Sequence, residues 1–373
     1  MNRVQKLLFL CLSVLVASVT FIWLSTTDEF AHTQETANNS MEQWIGTVDN
    51  RVFEPVLPNQ ELSLPEDFEQ HPEYRHEWWQ VISQLSDEAG NQYWLRWRFF
   101  RYALDEGNRS SWNDPQIYIS NAVLTGQFGM FTDQRIARGG IGQAGTDTKP
   151  FKVWVDEWSW QSMSDFPMPS TLKIETEQFA AQLNISQQAQ FAKSGEQGYQ
   201  PMHQFVPRAS YLLEAPFTSV QGTLKLAQRG NTLNVEGHAW LSKEWSSELL
   251  GKGYVGQDNL ILWLPDDKAL RLRRFRYSDM QPYTTASVID KSGHVVTVEQ
   301  EEIQFDILNY SVLQSGKRVP LTWKLQIPSL DLSVMINSRK QDNWVNFVVP
   351  QWQGVVHATG THRSTGYMQL SGY

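Results

Sequence analysis

The chain has 373 residues, enough for two domains of ordinary size. Its net charge of −9 excludes nucleic acid as the main partner, because phosphate contacts need a basic surface. The single cysteine, Cys11, lies in the hydrophobic N-terminus, which excludes disulfides and Cys-based metal sites from the body.

Arg3 and Lys6 precede an uncharged run from Leu7 to Leu24, and Asp28 and Glu29 follow it. A helix of that length rises about 27 Å, close to the hydrocarbon thickness of a bilayer. The spacing predicts a hydrophobic helix within residues 1–27. The charge order puts its start inside and the body outside the cytoplasm, in the cell envelope, on the periplasmic side in a bacterium. Cleaved signal and retained membrane anchor both stay open. The poor small-x-small pattern at Val16-Ala17-Ser18 and an interfacial Trp23 favour the anchor. Residues 28–55 are polar and without periodicity, and read as a tether.

Beyond the tether the signals are those of strands. Tyr93, Leu95, Trp97 and Phe99 alternate with Trp94, Arg96, Arg98 and Phe100. Residues 260–264 and 269–277 read as a hairpin around Pro265-Asp266-Asp267-Lys268, with a bulge expected where the apolar phase slips between Leu272 and Phe275. Trp323, Leu325 and Ile327, then Leu330, Leu332, Val334 and Ile336, again alternate with more polar residues. Turn clusters recur throughout, and the helix candidates are few and short: Gln187 to Lys193 and Ser246 to Leu250. The expected class is all-β, two lipocalin-like barrel or sandwich domains in tandem over 56–225 and 226–373. Aromatic residues make up 12% of the chain, with 16 tryptophans. That exceeds what two small barrel cores use, so part of the surplus is expected to line a cavity for an apolar ligand.

Gly140-x-Gly142-x-x-Gly145 and Gly251-x-Gly253-x-x-Gly256 match the dinucleotide fingerprint, but loop and strand follow them instead of a helix, so both read as loops. Histidines five apart, His71 with His76 and His357 with His362, serve neither one helix face nor one strand face. Hydrogen-bonded histidine is therefore expected, and no metal. Glu77, Glu157 and Glu244 each precede tryptophan. An acid desolvated against indole should have a raised pKa and could act as a proton donor.

Several segments together resemble the carotenoid 1,2-hydratase (hydroxyneurosporene synthase) and AttH-like group of two-domain lipocalin-like proteins. They are His71-Pro72-Glu73-Tyr74-Arg75-His76-Glu77-Trp78-Trp79, Arg98-Phe99-Phe100-Arg101, Ala137-Arg138-Gly139-Gly140, Phe151 through Trp158, Trp240 through Ser246, and Gly366 through Tyr373. The resemblance implies a pocket at or between two β domains and, in hydratase members, addition of water to an isoprenoid double bond without a cofactor. It implies Glu77, Glu244 and Asp258 as candidate acids, and Trp78, Trp79, Trp97, Trp240 and Trp245 as ligand-binding side chains. Other members are associated with transporters of envelope lipids, which implies an ABC-type transporter as partner. The chain departs from the family pattern Trp-x-Asp-His-Glu-Trp-Ser, since Ser242 and Lys243 stand at the Asp and His positions. It also lacks the aromatic residues that flank the family's following acid, here Asp258. Serine cannot protonate an alkene, and Lys243 would hold Glu244 ionised if the two are close. Three readings remain: an envelope carrier of a lipid or isoprenoid, a cofactor-free hydratase or cyclase of a polyene, and a ligand-free scaffold for a membrane partner.

Overall fold

The computed structural model describes residues 53–104, 114–187, 190–248, 253–338 and 340–373. The hydrophobic helix expected within 1–27, and the tether up to residue 52, lie outside them. Within them the alternating segments are strands, gathered into two antiparallel sheets.

The first sheet holds β1 (His76–Asp87), β2 (Gln92–Ala103), β3 (Gln116–Gly126), β4 (Gly129–Arg138), β5 (Ala144–Thr148), β6 (Phe151–Val155), β7 (Trp158–Ser162), β8 (Ser170–Glu175), β9 (Phe179–Gln187), β10 (Ala192–Lys193), β11 (Tyr199–Pro201), β12 (Ala209–Leu226) and β13 (Thr232–Ser246). Its order is β4-β3-β2-β1-β13-β12-β9-β8-β7-β6-β5, with β10 and β11 paired to β12. The sheet curls until β6 meets β3 and β4. The second sheet holds β14 (Tyr254–Leu264), β15 (Lys268–Tyr277), β16 (Tyr283–Asp290), β17 (Val295–Val298), β18 (Gln304–Val312), β19 (Arg318–Ile327), β20 (Leu332–Ser338), β21 (Trp344–Val345), β22 (Gln351–Gly360) and β23 (Ser364–Ser371). Its order is β17-β16-β15-β14-β23-β22-β20-β19-β18, with β21 on β22. The position expected to divide two domains, 225/226, falls at the last two residues of β12, which pairs with β13 in the first sheet.

Side chains on the concave side of each sheet form its core. In the first, Trp79 and Val81 meet Leu95, Trp97 and Phe99. Trp160 stands edge-on to Phe68, Phe151 and Trp97 at ring separations of 5.4, 5.5 and 6.1 Å. The aromatic surplus thus largely packs the interior, in the offset and edge geometries that ring quadrupoles favour. In the second, Leu260, Leu272, Trp323 and Trp352 are fully buried together.

A third cluster lies between the sheets. Ile82, Trp94 and Trp240 of the first meet Ile261, Ala269, Ile289 and Tyr367 of the second. Neighbouring residues of a strand point to opposite faces, so β1, β2, β13, β14, β15 and β23 are buried on both. This explains the phase slip in β15. Pairing with β14 runs without interruption from Leu272 to Phe275, and the register shift lies instead between Tyr254 and Gly256. Leu272 faces the second core and Phe275 the opposite side. The expected bulge is therefore a change of which face carries the apolar residue.

The two helix candidates are not helices where the structure describes them. Gln187 ends β9, Ala192 and Lys193 form β10, and Ser246 ends β13. Gly145 and Gly256 of the fingerprint look-alikes lie in strands β5 and β14.

Candidate functional site

Strand register sets the first polar cluster. Glu77 of β1 lies opposite Arg101 of β2, and Trp79 lies opposite Lys243 of β13, all on the first sheet's concave side. Glu77 is ion-paired with both Arg101 and Lys243, and all three are fully buried. The backbone N–H of His71 also donates to Glu77 Oε2 at 3.1 Å. Arg101 donates to Gln116 Oε1 and to the carbonyls of His71 and Tyr74, each at 2.7 Å. The Lys243 ammonium sits 3.4 Å from the Trp79 ring centre, and the His71 ring stacks on Trp245 at 4.2 Å. Burial alone would push the Glu77 carboxyl up, but Lys243 and Arg101 outweigh it and hold Glu77 well below the usual carboxylate range. Burial pushes Lys243 down to about 7, against the pull of Glu77. The raised pKa expected for Glu77 is thus reversed by two cations that adjacency in sequence does not reveal.

Glu244 lies on the other face of β13, between the sheets. It accepts from Arg273 Nη2 at 2.8 Å and from Ser210 Oγ at 2.5 Å. Lys243 therefore pairs with Glu77 and not with Glu244, as alternation along a strand requires. Beside Glu244 stands an acid the sequence reading missed. Glu214 accepts from Trp240 Nε1 at 2.6 Å and Ser194 Oγ at 2.5 Å, and is ion-paired with Arg271. Ser242, at the family's Asp position, accepts from Arg271 at 2.9 Å. The one signal for Glu214 in the sequence is an acid inside the apolar run Leu212-Leu213-Glu214-Ala215.

Asp258 is apart from both clusters, on the concave side of the second sheet. It is fully buried and accepts from Arg274 Nη1 at 3.1 Å, Arg276 Nε at 3.2 Å and the Tyr373 hydroxyl at 3.0 Å. Burial pushes its carboxyl up despite the two arginines. Glu157 is exposed in the turn before β7. Glu77, Glu244 and Asp258 thus lie in three separate places, and Glu157 in a fourth. Of the predicted tryptophans, Trp79 and Trp97 belong to the first core, Trp240 to the inter-sheet cluster and Trp245 to the wall behind His71. Trp78 is half-buried beneath the Arg98 guanidinium at 4.7 Å.

Two open clefts adjoin these clusters. One, of about 370 Å³, lies beside the first cluster and is lined by Gln70, Gln116, Tyr118 and Trp154 among others. Gln116 joins it to Arg101. The other, of about 330 Å³, opens on the seam between the sheets, with Trp94, Thr125, Val355 and Thr365 in its walls and Lys340 and Asn343 beside them. None of the eight predicted site residues lines either cleft. Among the described residues no His, Cys, Asp and Glu side chains are grouped as a metal site would need.

The same architecture is found in solved structures. A Nitrosomonas europaea protein assigned as an AttH superposes with a TM-score of 0.78 at 27% identity, over 86% of this chain and 99% of that one. Kievitone hydratase from Nectria haematococca superposes at 0.64 with 13% identity, over 86% and 98%. CghA, solved with Sch210972, superposes at 0.50 with 10% identity, over 89% and 97%. At such low identities the last two show the fold alone. No curated protein matches the chain. Residues 55–373, which hold both sheets and all three clusters, match the AttH-like family, and the chain belongs to it.

Proposed function

We propose that this protein is a carrier for an apolar or amphipathic molecule of the lipid or isoprenoid kind, taken up in the cleft between its two sheets. In this reading the segment around 7–24 holds the body at the envelope membrane, outside the cytoplasm, where it serves an ABC-type lipid transporter. The observation that carries binding over catalysis is the state of the acids. Glu77, Glu244 and Asp258 are each paired with at least one guanidinium or ammonium group, and Glu77, the acid beside the larger cleft, is held ionised. An ionised carboxylate cannot protonate an alkene. The seam cleft instead offers Trp94 and Val355 as apolar wall with polar groups at its rim, the make-up of a site that binds and orients.

Native mass spectrometry of protein purified from its host, with solvent extraction of what it carries, tests this. A co-purifying lipid or isoprenoid is expected, and Thr365→Trp, which fills the cleft, should release it. A protein with no bound mass and no uptake of a fluorescent fatty-acid probe would overturn the carrier.

One observation favours a second reading, a cofactor-free hydratase or cyclase of a polyene. Burial pushes the Asp258 carboxyl up, and it touches the Tyr373 hydroxyl. Conversion of acyclic carotenoids that disappears in Asp258→Asn would establish it. Conversion that survives Glu77→Gln, Glu244→Gln and Asp258→Asn together would remove acid catalysis by these groups.

A further inference from the structure

The charges at the seam do not balance. Arg96 and Arg98 of β2 face Arg271 and Arg273 of β15 across it, with Glu214 and Glu244 as the carboxylates among them. Each of these acids is taken by an arginine of β15. Arg96 and Arg98 have amide oxygens instead. Gln80 Oε1 accepts from Arg96 Nε at 3.2 Å and from Arg98 Nε and Nη2 at 3.0 and 2.8 Å, so one neutral oxygen bridges two like charges. Asn121 Oδ1 accepts from Arg96 Nη1, and Gln369, with its amide oxygen turned inward, accepts from Nε and Nη2 at 3.2 and 3.3 Å. Burial pushes Arg96 down to about 10. It pushes Arg98 down as well, and the charges of Arg96, Arg271 and Arg273 add to that against the opposing pull of Glu244. A guanidinium keeps its proton, so four positive charges stand against two negative ones in a place of poor hydration.

Donors without acceptors are found at the same place. Gln353 Nε2 and Arg273 Nη1 are buried and have no hydrogen-bond partner, in residues 0% and 4% exposed. A buried unpaired donor forfeits the hydration it had in water, and both groups are donors.

Register connects this polar floor to the seam cleft. Trp94 of β2 and Val355 of β22 line the cleft. The next residues inward on the same faces are Arg96 and Gln353. On β23 Thr365 lines the cleft, Tyr367 follows opposite Val355, and Gln369 lies opposite Gln353. Three strands thus pass from the cleft wall to the polar floor within one or two steps.

We propose that this floor is the seat of an anionic head group, a carboxylate or a phosphate, so that the molecule carried is an acidic amphiphile. The proposal rests on the carrier reading and names the chemical class of its ligand. The head group would accept from Gln353 Nε2 and balance Arg96 and Arg98. Arginine matches it because guanidinium N–H groups pair with carboxylate and phosphate oxygens in planar, charge-assisted geometry. The chain would lie along Trp94 and Val355 toward the rim, where Lys340 is exposed.

The test is displacement of a neutral fluorescent polyene ester from the full-length protein by dodecanoate, dodecyl phosphate and methyl dodecanoate. At least one acid is expected to compete about tenfold more tightly than the ester, and the stronger of the two identifies the head group. Arg98→Gln, at a half-buried position, should bring acid and ester to within about twofold while leaving ester binding intact. Gln353→Glu keeps the acceptor that the Tyr367 hydroxyl uses at 3.2 Å, removes the unpaired donor and adds a negative charge to the floor. It should keep the melting temperature and weaken the acid alone. Acids and ester competing equally would overturn the anion seat and leave the carrier standing. No displacement by any of the three, with no uptake of the probe itself, would overturn both.

Discussion

Glu77 and Lys243 depend on each other because neither could stay charged alone where it sits. Glu77→Gln leaves Lys243 and Arg101 buried without their carboxylate, which should cost about 3–5 kcal/mol in urea unfolding. Lys243→Met should cost less, since Glu77 keeps Arg101 and the His71 N–H, and the methionine can pack on Trp79. Equal losses, or a larger loss from Lys243→Met, would show that the ammonium carries the cluster. The pH sense follows from the direction of the shift. Glu77 is held below 4.5, so its contribution is present above that pH and falls away as acid protonates it in the folded state. At this scale the sequence was misread in one respect. A Glu beside a Trp in a strand points away from it. The indole that matters to Glu77 is on its own face, at Trp79, and the cations come from β2 and β13.

Elements were the most legible level, because alternation is a local property. β2, β19 and the β14–β15 hairpin follow the periods of the sequence. What alternation does not tell is whether the second face of a strand meets water or another sheet. Alternation puts Arg96 and Arg98 on the face opposite to Trp97 and leaves open what that face meets; Arg96 is fully buried and Arg98 half-buried. Close strand approach gives a test at this scale. A Cβ on Gly366 of β23 would lie 1.8 Å from the Ile261 carbonyl oxygen and 2.8 Å from Leu262 Cδ2. Backbone cannot yield there without unpairing β14 from β23, so Gly366→Ala should destabilise by about 1–3 kcal/mol or more. Gly90→Ala, where the added Cβ meets open space at a turn with φ of 80°, probes backbone strain alone and should cost less. A larger loss at Gly90 would refute the packing argument.

The two sheets are joined by the seam. Its apolar contacts and its Glu214–Arg271 and Glu244–Arg273 pairs cover the sides of the two sheets that meet there. Breaking it would expose Trp94, Trp240 and Tyr367 together with buried charge. Tryptophan fluorescence, far-UV circular dichroism and near-UV signals should therefore lose structure in one coincident urea transition. Two separated transitions would mean that the sheets unfold independently and that the seam contributes little.

The sequence by itself determined the all-β class, the family and the strands, because side-chain alternation and the clustered aromatic and glycine motifs are written in neighbouring residues. Only the tertiary structure decided which acids meet which cations. Partners such as Glu77 and Lys243, or Glu214 and Arg271, are far apart along the chain and come together through strand register and the packing of one sheet on another. Protonation state and charge balance in a buried place depend on those meetings and on the loss of water, and neither can be read from the order of residues.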